Sequence, residues 1–198
     1  MKKTWYFFAS DRLIPGLLAA LSLLVGGCAS VYSVHEDACA QFAEHSKDTD
    51  DSTNYVYSDA DSESAAANFK RLPHGHVAYV RLYKMRLTPP QVTPCSYLTI
   101  QKDVYFQRIA KANLTLEEIR EFYTASGTLI TTKTESLGDQ FRATGYYTGD
   151  TSLPIPPKAP PGKYRIVSKL VLKTNYKNKH KITVLTRTSA SFQIVPRK

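Results

Sequence analysis

A chain of 198 residues, 42% hydrophobic and 22% charged, is long enough for one domain with its own core plus a leader and a tether, and leaves little room for a second full domain. Its net charge of +9 is unevenly spread. Residues 28–70 hold nine acids against Lys47 and Lys70, residues 71–198 hold 21 basic and seven acidic residues, and eleven lysines and arginines but no acid follow Asp150. The C-terminal quarter is therefore expected to present a positive field.

Lys2, Lys3 and Arg12 make a charged start, followed by an apolar run over 13–25 broken only by Pro15, Gly16 and Ser22. The run is well short of the roughly 20 apolar residues a spanning helix needs, so it reads as the core of an export signal over residues 1–27. It ends in Leu24-Val25-Gly26-Gly27-Cys28, which resembles the lipobox of bacterial lipoproteins. The resemblance implies cleavage before Cys28, a diacylglycerol on its thiol and acylation of the new N-terminus. Several acyl chains such as palmitate, at about 0.8 kcal/mol per buried methylene, give stable anchoring. Ala29 stands where an Asp retains many such proteins in the inner membrane, so the family sorting rule implies the outer membrane, with periplasmic or surface display left open. The resemblance covers the signal and anchor alone.

With Cys28 taken by lipid, Cys39 and Cys95 remain as an even pair in an oxidising compartment, and one disulfide is expected, two buried free thiols being the alternative. Residues 28–70 read as an acidic tether. Within it, 33–45 has a helical pattern, with Ser33 and Glu36 spaced as a capping box, Val34, Ala38 and Phe42 on one face, and Cys39 beside that stripe. Residues 46–64 have the composition of a solvated spacer.

The domain proper is expected over 71–198. Strands are predicted at 76–87, 96–109, 128–134, 140–148, 163–174 and 181–195. The segment 116–124 is ambiguous, because Thr115 and Glu118 form a capping box while Ile119, Glu121 and Tyr123 alternate as a strand. In 163–174, Tyr164, Ile166, Ser168, Leu170 and Leu172 share one face and Arg165, Val167, Lys169, Val171 and Lys173 the other. In 181–195, Ile182, Val184, Thr186, Thr188, Ala190, Phe192 and Ile194 share a face opposite Leu185, Arg187 and Gln193. These strands, with no βαβ spacing, predict a mainly β protein: an antiparallel β-sandwich, loosely similar to immunoglobulin-like or transthyretin-like modules, with one or two short helices.

The leading functional feature is the basic hairpin. Lys169, Lys173 and Arg187 are expected on its outer face, with Tyr176, Lys177, Lys179, His180 and Lys181 at its tip, a cationic surface for an anionic partner. Edge lysines that merely block strand-to-strand aggregation are the competing reading. The proline-rich run 154–162 is either a docking strip or a stiff entry into a strand. His74 and His76 lack a third ligand nearby, and Asp48, Asp50 and Asp51 lack the glycine and distal Glu of a calcium loop, so no metal is expected. No nucleophile motif and no phosphate-cradling loop is present, so neither catalysis nor a cofactor is expected. The expected partners are the membrane, through the N-terminal lipid, and an envelope protein, such as a component of a secretion, pilus or conjugation apparatus. An anionic envelope glycan or lipid is the alternative partner and a hydrolase a further alternative; no nucleic acid is expected.

Overall fold

The computed structural model of the chain describes residues 38–47, 49–110, 112–176 and 179–197. Cys28 and the rest of the leader, Ser33, Glu36, Asp48 and Lys177 lie outside them. Among the described residues two helices and nine strands occur in the order α1 (Ala38–His45), β1 (Asn54–Ser58), α2 (Asp59–Asn68), β2 (Ala78–Thr88), β3 (Gln91–Val92), β4 (Ser96–Arg108), β5 (Thr115–Thr124), β6 (Leu129–Ser136), β7 (Gly145–Ile155), β8 (Gly162–Tyr176) and β9 (Lys179–Ile194). The strands form two sheets, a four-stranded β1-β7-β4-β2 and a five-stranded β3-β9-β8-β5-β6. The protein is thus mainly β and a two-sheet sandwich. Every pairing is antiparallel except the short β3–β9 contact, which is parallel.

The spacer expected over 46–64 is instead part of the sandwich. β1 pairs with β7 from Asn54↔Asp150 to Ser58↔Tyr146, and Thr53 and Tyr55 turn inward and are buried. Composition missed this because two inward side chains suffice when a neighbouring strand supplies the ladder. Ser58 caps α2, its Oγ accepting from the Asp61 amide at 3.3 Å, with Asp59 and Asp61 in the first turn where carboxylates favour the positive end of the helix. Ser62 ties α2 down by accepting from the Tyr146 amide at 2.7 Å. Gly145 is needed beneath it: a Cβ there would lie 2.6 Å from Ser62 Oγ and collide with the Tyr57 ring.

Three further expectations shift. The ambiguous 116–124 is the strand β5, and Leu116, Glu118 and Arg120 are its buried face. The strand predicted at 140–148 starts only at Gly145, while Phe141 is buried as a core plug before it. In β9 a bulge interrupts the alternation, because Leu170 pairs with Thr186 but Val171 pairs with Val184. One extra residue reverses the phase. Leu185 therefore packs against the core, and Ile182 and Val184 are 59% and 54% exposed rather than buried.

The disulfide Cys39–Cys95 joins α1 to the residue before β4, with its Cα atoms 5.3 Å apart, and the Phe42 and Tyr97 rings meet at 4.9 Å beside it. The core divides into two apolar clusters, one around Val104, Phe106, Phe141, Tyr147, Leu170 and Leu172, the other around Leu98, Ile100, Ile155, Ile166, Phe192 and Ile194. Among the described residues no helix is long and apolar enough to cross a membrane.

Candidate functional site

The β8–β9 hairpin is the longest pairing among the described residues, running from Gly162↔Ile194 to Tyr176↔Lys179. Its neighbours do not follow it to the tip. β5 accompanies β8 only as far as Thr115↔Lys173, so beyond that point the two strands continue as a ribbon of their own. Lys181, Ile182, Thr183 and Val184 are all exposed, although consecutive strand residues point to opposite faces. The other edge of β9 is paired only where β3 meets Gln193 and Ile194. Ile182, Thr183 and Val184 stand level with Lys173, Leu172 and Val171, which β5 still flanks and of which Leu172 and Val171 are buried, so they are exposed on β9 itself, whose other edge is, among the described residues, unpaired outside β3.

The expected cations are only partly brought together. Lys169 and Arg187 sit directly opposite each other. Lys169 Nζ lies 2.5 Å from a Glu121 carboxylate oxygen and Lys173 Nζ 2.6 Å from one of Glu117. β5 thus neutralises two of the lysines, and the hydrogen bond from Lys169 holds the Glu121 carboxyl below its ordinary pKa. Lys181 and Arg187 are exposed, and Tyr176 pairs with Lys179 at the end of the ribbon. Arg165 is an addition that the sequence face shared with Lys169 signals. Its guanidinium lies 5.3 Å from the Tyr123 ring centroid. Arg165, Lys169 and Arg187 line one shallow cavity of about 510 Å³ together with Tyr123 and Glu121. Like charges set opposite across a ladder are unfavourable in isolation, and here one carboxylate stands against three cations.

A second polar assembly lies inside the sandwich and separates the two apolar clusters. Lys102 of β4 and Glu118 of β5, both fully enclosed, meet at 2.6 Å. Glu118 also accepts from the hydroxyls of Tyr83 at 2.8 Å and Tyr55 at 3.2 Å, and from Ser168. Lys102 donates to Thr53 Oγ1 at 2.8 Å. One layer on, Arg120 pairs with Glu135, and its Nη2 donates to the Asp51 carbonyl at 2.5 Å. Burial drives the Lys102 pKa down to about 8 against the opposing pull of Glu118. Burial acts to raise the Glu118 carboxyl, yet Lys102 and the hydroxyls around it hold it below its ordinary value. The Tyr55 and Tyr83 hydroxyls are pushed well up, first by burial and then, for Tyr55, by Tyr83 and Glu118 and, for Tyr83, by Glu118. Lys102 and Glu118 are both fully enclosed, whereas in the Arg120 layer Nε and Nη1 are buried with no hydrogen-bond partner among the described residues; the belt ties β4 and β5 across the two sheets. Among the described residues no group of three His, Cys, Asp or Glu side chains is placed to hold a metal ion.

No protein-family model matches the chain, and no curated protein matches it. Among solved structures, the C-terminal domain of Wzt is similar at 12% identity and a TM-score of 0.44, over 76% of this chain and 82% of that one. The alkylpurine DNA glycosylase AlkC of Pseudomonas fluorescens is similar at 16% identity and a TM-score of 0.34, over 61% of this chain and 31% of that one. The β-glucuronidase of Parabacteroides merdae is similar at 11% identity and a TM-score of 0.34, over 60% and 14%. Likenesses this weak bear neither on mechanism nor on partner, and the two-sheet sandwich stands on its own strand pairings.

Proposed function

We propose that the chain is an outer-membrane lipoprotein, acylated at Cys28, whose sandwich is a non-enzymatic binding module for an envelope protein. The observation that carries this reading is β9, where exposed Ile182 and Val184 lie on a strand whose outer edge pairs, among the described residues, only with β3. An open edge with apolar side chains is an aggregation hazard that soluble proteins cover or blunt. A partner strand added to β9 would satisfy its free backbone groups and bury those two side chains. Lys181 and Arg187, without acidic partners among the described residues, favour an acidic partner and speed its approach. Assembly components of secretion, pilus or conjugation systems fit this description. The second reading, an anionic glycan or lipid headgroup, is favoured by the cavity in which Arg165, Lys169 and Arg187 surround Tyr123, since a ring and three cations suit an acidic sugar.

Cross-linking and affinity capture of the acylated protein from its own envelope tests both. The wild type is expected to recover one stoichiometric protein, which is lost from Ile182→Asp/Val184→Asp and from the triple reversal of Lys177, Lys179 and Lys181 to Glu, while Cys28→Ser no longer incorporates labelled palmitate. Recovery of glycan or lipid that salt removes, with no protein, would replace the first reading by the second. A Cys28→Ser variant that still takes up palmitate would remove the anchor from the proposal.

A further inference from the structure

β1 covers β7 only from Tyr146 to Asp150, so from Thr151 to Ile155 no second strand lies beside β7 among the described residues. There the sandwich opens into a groove of about 710 Å³, within the range of roughly 300–1,000 Å³ usual for small-molecule sites. Phe122, Ile130, Leu153, Ile155, Tyr164 and Phe192 make its wall largely apolar. Its ionic groups are few and unbalanced. Asp51 and Lys133 are paired with each other, whereas Lys158 and Arg165 line the groove with no acidic partner among the described residues. Arg165 is also set apart from the Asp51–Lys133 pair. Lys133 stands opposite Arg120, and Arg165 opposite Tyr123, three residues further along β5, or about 10 Å.

The geometry points to an amphipathic ligand with one anionic end, and we propose that the groove binds a single long-chain fatty acid. Its hydrocarbon lies along Phe122, Leu153 and Ile155, and its carboxylate lies between Lys158 and Arg165. An apolar wall alone would select any hydrocarbon. Two exposed cations on its lining without counter-ions add the requirement for a negative head, and the volume suits one chain rather than a two-chain lipid. This site is distinct from the hairpin tip, since Ile130, Leu153 and Lys158 belong to β6, β7 and the turn after β7, and it shares Tyr123 and Arg165 with the cavity that Lys169 and Arg187 line.

Full-length protein in detergent is loaded with isotope-labelled palmitate or labelled hexadecanol, desalted, and the free lipid is extracted without hydrolysis and counted by mass spectrometry. The wild type is expected to retain about one palmitate per chain and about tenfold less hexadecanol, a difference set by the charged head. Lys158→Glu/Arg165→Glu should retain about tenfold less palmitate with hexadecanol unchanged. Ile130→Trp, which fills the groove from an exposed position, should lose both, with circular dichroism confirming that each variant is folded. Retention that is equal for acid and alcohol, or equal across folded variants, or negligible in the wild type, would overturn the proposal. So would recovery of an acidic apolar peptide from the groove in place of the acid.

Discussion

Lys102 is the residue whose burial is hardest to reconcile with a simple core. Its ammonium is fully enclosed and meets one carboxylate, so removing it leaves Glu118 as an uncompensated buried charge. Lys102→Met is therefore expected to destabilise the protein by about 3–5 kcal/mol, and Lys102→Met/Glu118→Leu to recover most of that loss, measured by urea unfolding. A double variant no better than the single would mean that the pair is not coupled. The pH dependence has a defined sign. With Lys102 at about 8 in the fold against an ordinary 10.5, the unfolded chain holds the extra proton between those values, so the contribution of this group to stability rises with pH across that window. Unfolding midpoints from pH 7.5 to 10 should climb in the wild type relative to Lys102→Met. Glu118 acts at the other end: its depressed carboxyl contributes stability that is lost as pH falls below 4.5. The lysine is legible in sequence, since Leu98, Ile100, Lys102, Val104 and Phe106 alternate onto one face. Its partner was not, because Glu118 lies on a segment whose helical and strand patterns competed.

At the scale of elements, β9 separates what alternation can predict from what it cannot. Period-2 patterning located the strand and its partner β8 to within two residues, and it located β2, β4 and β6 equally well. It also assigned Val184 inward and Leu185 outward, and the bulge reverses that assignment. Nothing local marks a bulge of this kind, since the register is set across the ladder by Leu170 and Val171. The two assignments have opposite mutational consequences. Leu185→Ala should cost about 2 kcal/mol through lost packing against the core, whereas Val184→Ala should stay within about 0.5 kcal/mol. Thermal unfolding of the two single variants decides between them, and equal losses would count against the bulge. The basic hairpin shows the same limit in charge. Lys169 and Lys173 were readable as outward-facing, but the carboxylates that neutralise them come from β5, whose register only the folded sheet reveals.

For the whole molecule, parity of the cysteines predicted the Cys39–Cys95 bond, while composition misjudged where the domain begins. Asp, Ser and Thr in 46–64 resemble a spacer until β1 and α2 are seen against β7. The cross-link closes a sequence separation of 56 residues, and in the loop-entropy account such a closure contributes about 4 kcal/mol. Cys39→Ser/Cys95→Ser is expected to lower the urea midpoint by a corresponding amount, and an unchanged midpoint would mean that the denatured chain is not restrained by it.

The same bond also shortens the leash. A chain acylated at Cys28 and free as far as residue 70 would let its domain roam, but Cys39 is already fastened to the end of the sandwich where β4 begins. Under the proposed acylation, the eleven residues from Cys28 to Cys39 would span at most about 40 Å. Gly162, paired with Ile194, belongs to that moored end, since Ile194 shares an apolar cluster with Leu98. From Gly162 to Tyr176 the hairpin extends about 45 Å in the opposite direction. Under the proposed acylation of Cys28, the disulfide would thus fix the leash at one pole of the sandwich, and a partner at the other pole would meet the hairpin a full strand's length from that fastening.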